Sequence, residues 1–225
     1  MQAGSLFSPS EYTAALLMYV RWQAASAPPA SALELGTGSG VVLALMLALG
    51  AKQALGVDIE AAAVEATQKL LAQEGVAERA RVVQGDMWTA CGDQRFDLIA
   101  TNLPQFAAAH IEGDGRLPSW SVGGPDGRAV VDKFLLGLPD HLSRNGVALM
   151  THNTFIDVTK TQAFLSSLGL HARVIYTASA LLSEQKMANL NPSVLTRFTG
   201  CGIHRLGEHW FADFNIVQIR WSAAP

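Results

Sequence analysis

Two hydrophobic periods alternate along the chain. Apolar or β-branched runs of strand length occupy 32–35, 53–57, 81–83, 96–100, 147–150 and 171–176, and the first four reach a Gly, Asp or Asn within two residues. Between them, 41–49, 60–74, 128–142 and 158–168 have helical length and composition, and Gly75 closes the second of these. Ser8-Pro9-Ser10-Glu11 marks a helix start for 12–22, which Ala27-Pro28-Pro29 ends. The helix over 128–142 is expected despite Gly137 and Pro139, and Asn145-Gly146 turns into the fifth strand. Residues 211–221 alternate as a last strand. Strands alternating with helices predict an α/β fold: a doubly wound, mostly parallel seven-stranded sheet with helices on both faces. No repeat or linker divides residues 1–225, so one domain is expected, with 1–30 as a helical lid segment. Residues 181–209, before the last strand, lack clear periodicity. An insertion that long usually serves function or hides structure, and here it would cover an acceptor site.

Composition narrows the function classes. Hydrophobic residues make up 49% and charged residues 16%, enough for a sizeable core and against global disorder. A net charge of −3 and a pI near 6.0 give no overall basic footprint for nucleic acid. Cys91 and Cys201 are too few and too scattered for a disulfide framework, and no His/Cys/Asp spacing repeats as a metal site would require. The N-terminus lacks the order of a secretory signal, and 41–49 is too short to span a bilayer. A cytoplasmic location with no membrane partner is expected; oligomeric state is not legible.

The most informative stretch is Glu34-Leu35-Gly36-Thr37-Gly38-Ser39-Gly40, a strand feeding a glycine turn that opens a helix. The backbone there must bend sharply and let a ligand approach, and the helix N-terminus offers unpaired N–H groups. Asp58 ends the second strand, where a carboxylate can accept from two ribose hydroxyls, and Asp86 ends the third, within reach of an adenine. Either acid alone is as readily a turn residue. The nicotinamide fingerprint Gly-x-Gly-x-x-Gly is not met, because a valine (Val41 or Val42) follows Gly40.

Leu33 to Gly40, Gly56-Val57-Asp58-Ile59 and Gln84-Gly85-Asp86-Met87 together resemble the successive motifs of class I S-adenosylmethionine-dependent methyltransferases. The resemblance implies S-adenosyl-L-methionine as cofactor, with Glu34, Gly36, Thr37, Gly38 and Gly40 around its methionine part. It places Asp58 on the ribose, Ile59 on the adenine face, and Asp86 and Met87 at the adenine edge. Plain core packing is the competing reading for Ile59 and Met87.

Thr101-Asn102-Leu103-Pro104-Gln105 resembles, in altered form, the Asn-Pro-Pro-Tyr motif of amino-methyltransferases. That motif implies that Asn102 and the Leu103 carbonyl accept hydrogen bonds from an acceptor NH₂, with Pro104 completing the turn and Asn102 also bordering the cofactor. The chemistry is mostly alignment in a dry pocket. Gln105 stands where the family has an aromatic ring; Phe106, next along, reads either as a substitute for it or as a core residue. Gly123-Gly124-Pro125-Asp126-Gly127 and the following helix are similar to the catalytic domain of protein-glutamine N5-methyltransferases that modify release factors. The ordinary reading is a helix cap. That family's separate N-terminal helical domain has no counterpart before the cofactor strand near Ser31, and 181–209 has none in the family.

Trp120, His152, Asn153, Asn189, Asn191 and His204 are further candidates for the acceptor pocket, with His152 best placed beyond the fifth strand. Three functions compete. The first is N-methylation of a small planar nitrogen metabolite, favoured by modest charge and an insertion suited to a lid. The second is N-methylation of a protein glutamine or an RNA adenine. The third, kept open by Gln105, is a non-catalytic cofactor-binding subunit. O-methylation is compatible with the same scaffold.

Overall fold

The computed structural model describes residues 8–108 and 121–222. Its centre is one mixed sheet in the order β3-β2-β1-β4-β5-β8-β6. The strands are β1 (Ser31–Leu35), β2 (Gln53–Asp58), β3 (Ala80–Gln84), β4 (Phe96–Thr101), β5 (Leu142–Asn153), β6 (Leu170–Leu182), β7 (Ile203–Leu206) and β8 (His209–Trp221). The five strands β1 to β5 run parallel; β8 is antiparallel to β5, β6 and β7.

Both faces of the sheet are covered, as period-2 burial demands. Leu98, Ala100, Val147 and Leu149 point into one apolar layer with Leu16, Val20, Leu43, Met46 and Leu71. That layer joins α1 (Glu11–Ser26), α2 (Val41–Ala48) and α3 (Ala61–Gln73) to the sheet. Ile99, Ala148 and Met150, one residue out of phase, face a second layer with Phe134, Leu135, Leu138 and Leu165. There α4 (Ala129–His141) and α5 (Val158–Ser167) pack.

Among the described residues the sheet has eight strands rather than seven. The additional one, β7, is a four-residue hairpin partner of β8 with only Ile203 buried, too short to show a period in the sequence. It lies inside 181–209, which is otherwise the end of β6 followed by α6 (Glu184–Asn189) and α7 (Pro192–Phe198). The two short helices carry local start signals: the Ser183 side chain accepts from the Lys186 N–H, and Asn191 accepts from the Ser193 N–H ahead of Pro192. Asn191 also ties this unit to the loop after β4, its backbone N–H donating to the Ala107 carbonyl at 2.8 Å and its side chain to the Pro125 carbonyl at 2.8 Å.

Candidate active site

The strand order reverses between β1 and β4, and a crevice opens at the carboxyl ends of strands at such a switch point. A cavity of about 260 Å³ lies there. The turn after β1 (Gly36 to Ser39), Asp58 and Ile59 after β2, Gly85 to Met87 after β3 and Asn102 to Pro104 after β4 line it. Ser8, Pro9, Ser10 and Thr13 close one side from the start of α1, and Val130 from α4 contributes another wall.

The glycine turn is held from below. Gly36 donates its N–H to the Val57 carbonyl at 2.8 Å, and Gly38 donates to Asp58 Oδ2 at 2.9 Å. The other Asp58 oxygen accepts from the Glu60 N–H at 3.0 Å. Burial raises the Asp58 carboxyl above its ordinary value, opposed by these backbone donors. Gly40 has a different task. At φ +78°, a Cβ there would stand 2.9 Å from the backbone and side chain of Thr67, so the glycine lets α2 approach α3 closely. It does not line the cavity.

Glu34 is buried at the end of β1, lines the cavity and accepts from the Leu43 N–H at 2.8 Å in the first turn of α2. Burial pushes its carboxyl well above the usual range; the Leu43 donor opposes this and the Asp58 charge adds to it. Among the described residues no cation side chain pairs with it. Asp86 pairs instead with Lys133 of α4, both largely exposed. Met87 sits at φ +50°, a conformation a side chain seldom adopts, and lines the cavity. Ile59 is 55% exposed, which excludes plain core packing for it.

Beyond β4, the chain is clasped rather than free. Phe106 donates to the Ser121 carbonyl and accepts from the Gly123 N–H. A Cβ on Gly127, at φ +77°, would lie 2.5 Å from the Gln105 carbonyl oxygen, and one on Gly123 would lie 2.9 Å from the Gln105 Cα. The glycine stretch thus grips the backbone of Gln105 as well as preceding α4.

The family model for ribosomal protein L11 methyltransferase (PrmA) matches residues 13–107, the segment that carries all four cavity-lining strand ends. A ribosomal protein uL3 glutamine methyltransferase of Bradyrhizobium diazoefficiens is 36% identical over 124 residues, 51% of this chain and 38% of that protein. A release factor glutamine methyltransferase of Xylella fastidiosa is 33% identical over 125 residues, 53% of this chain and 45% of that protein. The ribosomal protein L11 methylase of Lactobacillus delbrueckii subsp. bulgaricus shares the fold, with a TM-score of 0.58 at 17% identity over 94% of this chain and 80% of that one. These likenesses place residues 13–107 beside methyltransferase catalytic segments and give the chain the fold of solved methyltransferases. Its matched segment spans less than half the length of each of the two curated relatives.

The expected cofactor residues converge: Glu34, Gly36, Thr37, Gly38, Asp58, Ile59, Asp86, Met87 and Asn102 all line one cavity, with Leu103 and Pro104. Of the further residues expected around the acceptor, Gln105, Phe106 and His152 do not. Gln105 is 4% exposed, with both ends of its amide bonded inside the protein. Phe106 is buried, edge-on to Phe155 at 6.4 Å. His152 is fully buried, bonded through Nε2 to Thr161 and through Nδ1 to the Asn153 carbonyl. The Asn153 carbonyl can only accept, so the proton of the neutral ring sits on Nδ1 and Nε2 accepts from the Thr161 hydroxyl, which itself accepts from Arg128. Burial, with the nearby Arg128 charge, lowers its pKa to about 4, leaving a neutral, structural histidine.

Trp120 lies outside the described residues. Asn153 is buried and accepts from the Tyr12 hydroxyl; Asn189 donates to the Gln185 carbonyl within α6; Asn191 caps α7; His204 pairs with Asp213 at 2.7 Å. None of the four borders the cavity. Tyr12 and Thr151 are not candidates from sequence, yet both hold the acceptor side in place. Tyr12 follows directly on Ser8-Pro9-Ser10-Glu11, the one local signal that points towards it. Among the described residues no group of His, Cys, Asp or Glu converges as a metal site, and no helix is long and apolar enough to cross a membrane.

Proposed function

We propose that this protein is an S-adenosylmethionine-dependent methyltransferase that transfers a methyl group to the side-chain amide nitrogen of a glutamine in a protein. The observation that carries the reading is Asn102-Leu103-Pro104 at the carboxyl end of β4, opening on the same cavity as the Glu34–Asp58 cofactor wall. The named activities of the uL3 and release-factor relatives support a protein glutamine over the small planar metabolite expected from sequence. So does the absence of a ring at the cavity from position 105, since the buried Gln105 amide offers no stacking plane.

The donor set fits the cofactor. A buried carboxylate without a cation partner suits the ammonium of an amino acid, which places Glu34 and the Gly36–Gly38 turn at the methionine part. Asp58 suits ribose hydroxyls, while exposed Ile59, Met87 and the free oxygen of Asp86 suit an adenine. Bound S-adenosylmethionine supplies a methyl group on a sulfonium, already activated for in-line displacement. The chain's part is to align the acceptor: the Asn102 side chain and the Leu103 carbonyl receive the acceptor N–H groups and aim the nitrogen lone pair. The new N–C bond forms as the methyl–sulfur bond breaks, and the proton leaves to water, so no general base is required.

The test is transfer of labelled methyl from S-adenosylmethionine to purified uL3 and release factor, with the modified residue located by mass spectrometry. Label on a glutamine is expected, with Asn102→Ala lowering the rate about 100-fold through lost alignment. Label on neither protein, by an enzyme that binds the cofactor, overturns the proposed acceptor.

A further inference from the structure

Gln105 stands at the position of the ring in the Asn-Pro-Pro-Tyr motif that this loop resembles, and its surroundings show what it does instead. Its Oε1 accepts the Asn153 backbone N–H at 2.8 Å. A backbone N–H can only donate, so the amide has one orientation, with Nε2 turned to Thr151. Nε2 donates one proton to the Thr151 carbonyl at 2.8 Å, and its second faces both the Thr151 hydroxyl and the Leu103 carbonyl, each at 3.3 Å. That hydroxyl, receiving from a group that only donates, has its single proton left for Asn102 Oδ1, at 2.6 Å. Each link therefore runs one way, from Gln105 through Thr151 to Asn102. Gln105 and Thr151 are both buried, where such a chain is polarised along its length and costly to leave half made.

We propose that Gln105 is a positioning residue: clamped between the backbones of Thr151 and Asn153, it drives a hydrogen-bond relay that fixes the amide plane of Asn102 at the cavity. The inference rests on the reading of Asn102 as the residue that meets the acceptor. The replacement of the ring exchanges a stacking surface for a polar brace: one Oδ1 lone pair is committed to Thr151, and the other is held at a set angle towards the cavity. Gly123 and Gly127 press on the Gln105 backbone, so the brace is set before any ligand arrives. Tyr12 extends it to α1, donating to Asn153 Oδ1 at 3.0 Å.

The test compares Thr151→Val, Thr151→Ser and Gln105→Leu in the full chain. Thr151→Val removes the hydroxyl but keeps the shape; it should lower kcat for labelled transfer to uL3 or release factor about tenfold, the loss of one buried hydrogen bond. KM for S-adenosylmethionine should not move. Thr151→Ser restores the hydroxyl and should stay within about threefold of wild type. Gln105→Leu should match Thr151→Val, and the double variant should lose no more than either alone. Should Gln105→Leu fail to fold, the two Thr151 variants decide. A readout without any acceptor separates this inference from the proposed function: the side-chain amide of Asn102 in ¹⁵N-labelled protein. Its resonances should shift towards those of free asparagine in Thr151→Val and stay in place in Thr151→Ser. Unmoved resonances in Thr151→Val, or equal losses of kcat in Val and Ser variants, overturn the relay.

Discussion

The two halves of the sheet are built by different rules. On the β1–β2–β3 side, each functional group sits at the end of its own strand, and the parallel order brings those ends to one crevice. Nothing more than local sequence is needed to put Glu34, Asp58 and Asp86 there. On the β5–β8 side, the groups around Asn102 are held by partners far away in sequence: Gln105 with Thr151, 46 residues on, and Tyr12 with Asn153, 141 residues on. One half is a row of strand ends; the other is a woven brace. The lesson is that cofactor-side residues act nearly independently, whereas acceptor-side residues act as a unit.

The largest expected effect tests the independence of the first half. Asp58→Ala should weaken S-adenosylmethionine about 100-fold or more, the loss of charge-assisted bonds to two hydroxyls. Titration calorimetry on protein stripped of co-purified cofactor measures it. Retained micromolar binding would mean that Asp58 serves only the turn, through Gly38 and Glu60.

The next concerns the brace. Gly127→Ala places a methyl 2.5 Å from the Gln105 carbonyl oxygen and from Ile156, at φ +77°. A loss of about 2–4 kcal/mol is expected from steric and conformational strain together, read by urea unfolding. Cofactor affinity should hardly change if the halves are separable. A parallel loss of cofactor binding would show that they are not.

That division also explains what is legible in sequence. The glycine turn and the acidic strand ends can be read because strand, turn and helix are set by neighbours within a few residues. Gln105 and His152 pass for pocket residues because chemical type shows in sequence and burial partners do not. The Asn153 N–H that occupies Gln105 and the Thr161 hydroxyl that occupies His152 come from other elements. Gly40 matches the cofactor motif by spacing, but its own requirement is the approach of α3 through Thr67. Residues 181–209 hide two helices and a strand because each is too short for a period to emerge, although Ser183 and Asn191-Pro192 are adequate cap signals.

A smaller effect separates charge from shape on the cofactor wall. Glu34 is raised by burial, so the folded protein binds its proton more tightly than the unfolded chain does. Stability contributed by this group is therefore fully present in acid and is lost as pH rises above the ordinary carboxylate value towards the raised one. Glu34→Gln keeps an acceptor for the Leu43 N–H without the buried charge. In the absence of cofactor its Tm should exceed that of wild type by about 2–4 °C at pH 8, the shift that about 1 kcal/mol gives at this size, and the gap should close in acid. Cofactor affinity should fall at the same time, because the ammonium would lose its counter-charge. A gap independent of pH would mean that ionisation of Glu34 has no part in it.

The smallest effect falls on Ile59, and it sharpens the comparison because it asks whether a cofactor-side residue can matter to binding and nothing else. Its side chain is 55% exposed beside Asp58, so it adds little to the folded core. An apolar group left in water at a cavity rim gains only when a ligand face covers it. Ile59→Ala should then leave the urea midpoint unchanged and weaken S-adenosylmethionine about fivefold, since roughly 40 Å² less apolar surface would be covered, at about 25 cal/mol per Å². Ile59→Leu should stay near wild type, since a flat purine face requires area more than branching. A lower urea midpoint with unchanged affinity would mean that Ile59 braces the turn after β2. In that case the first half too would be woven, and the independence of the strand ends would rest on Asp58 alone.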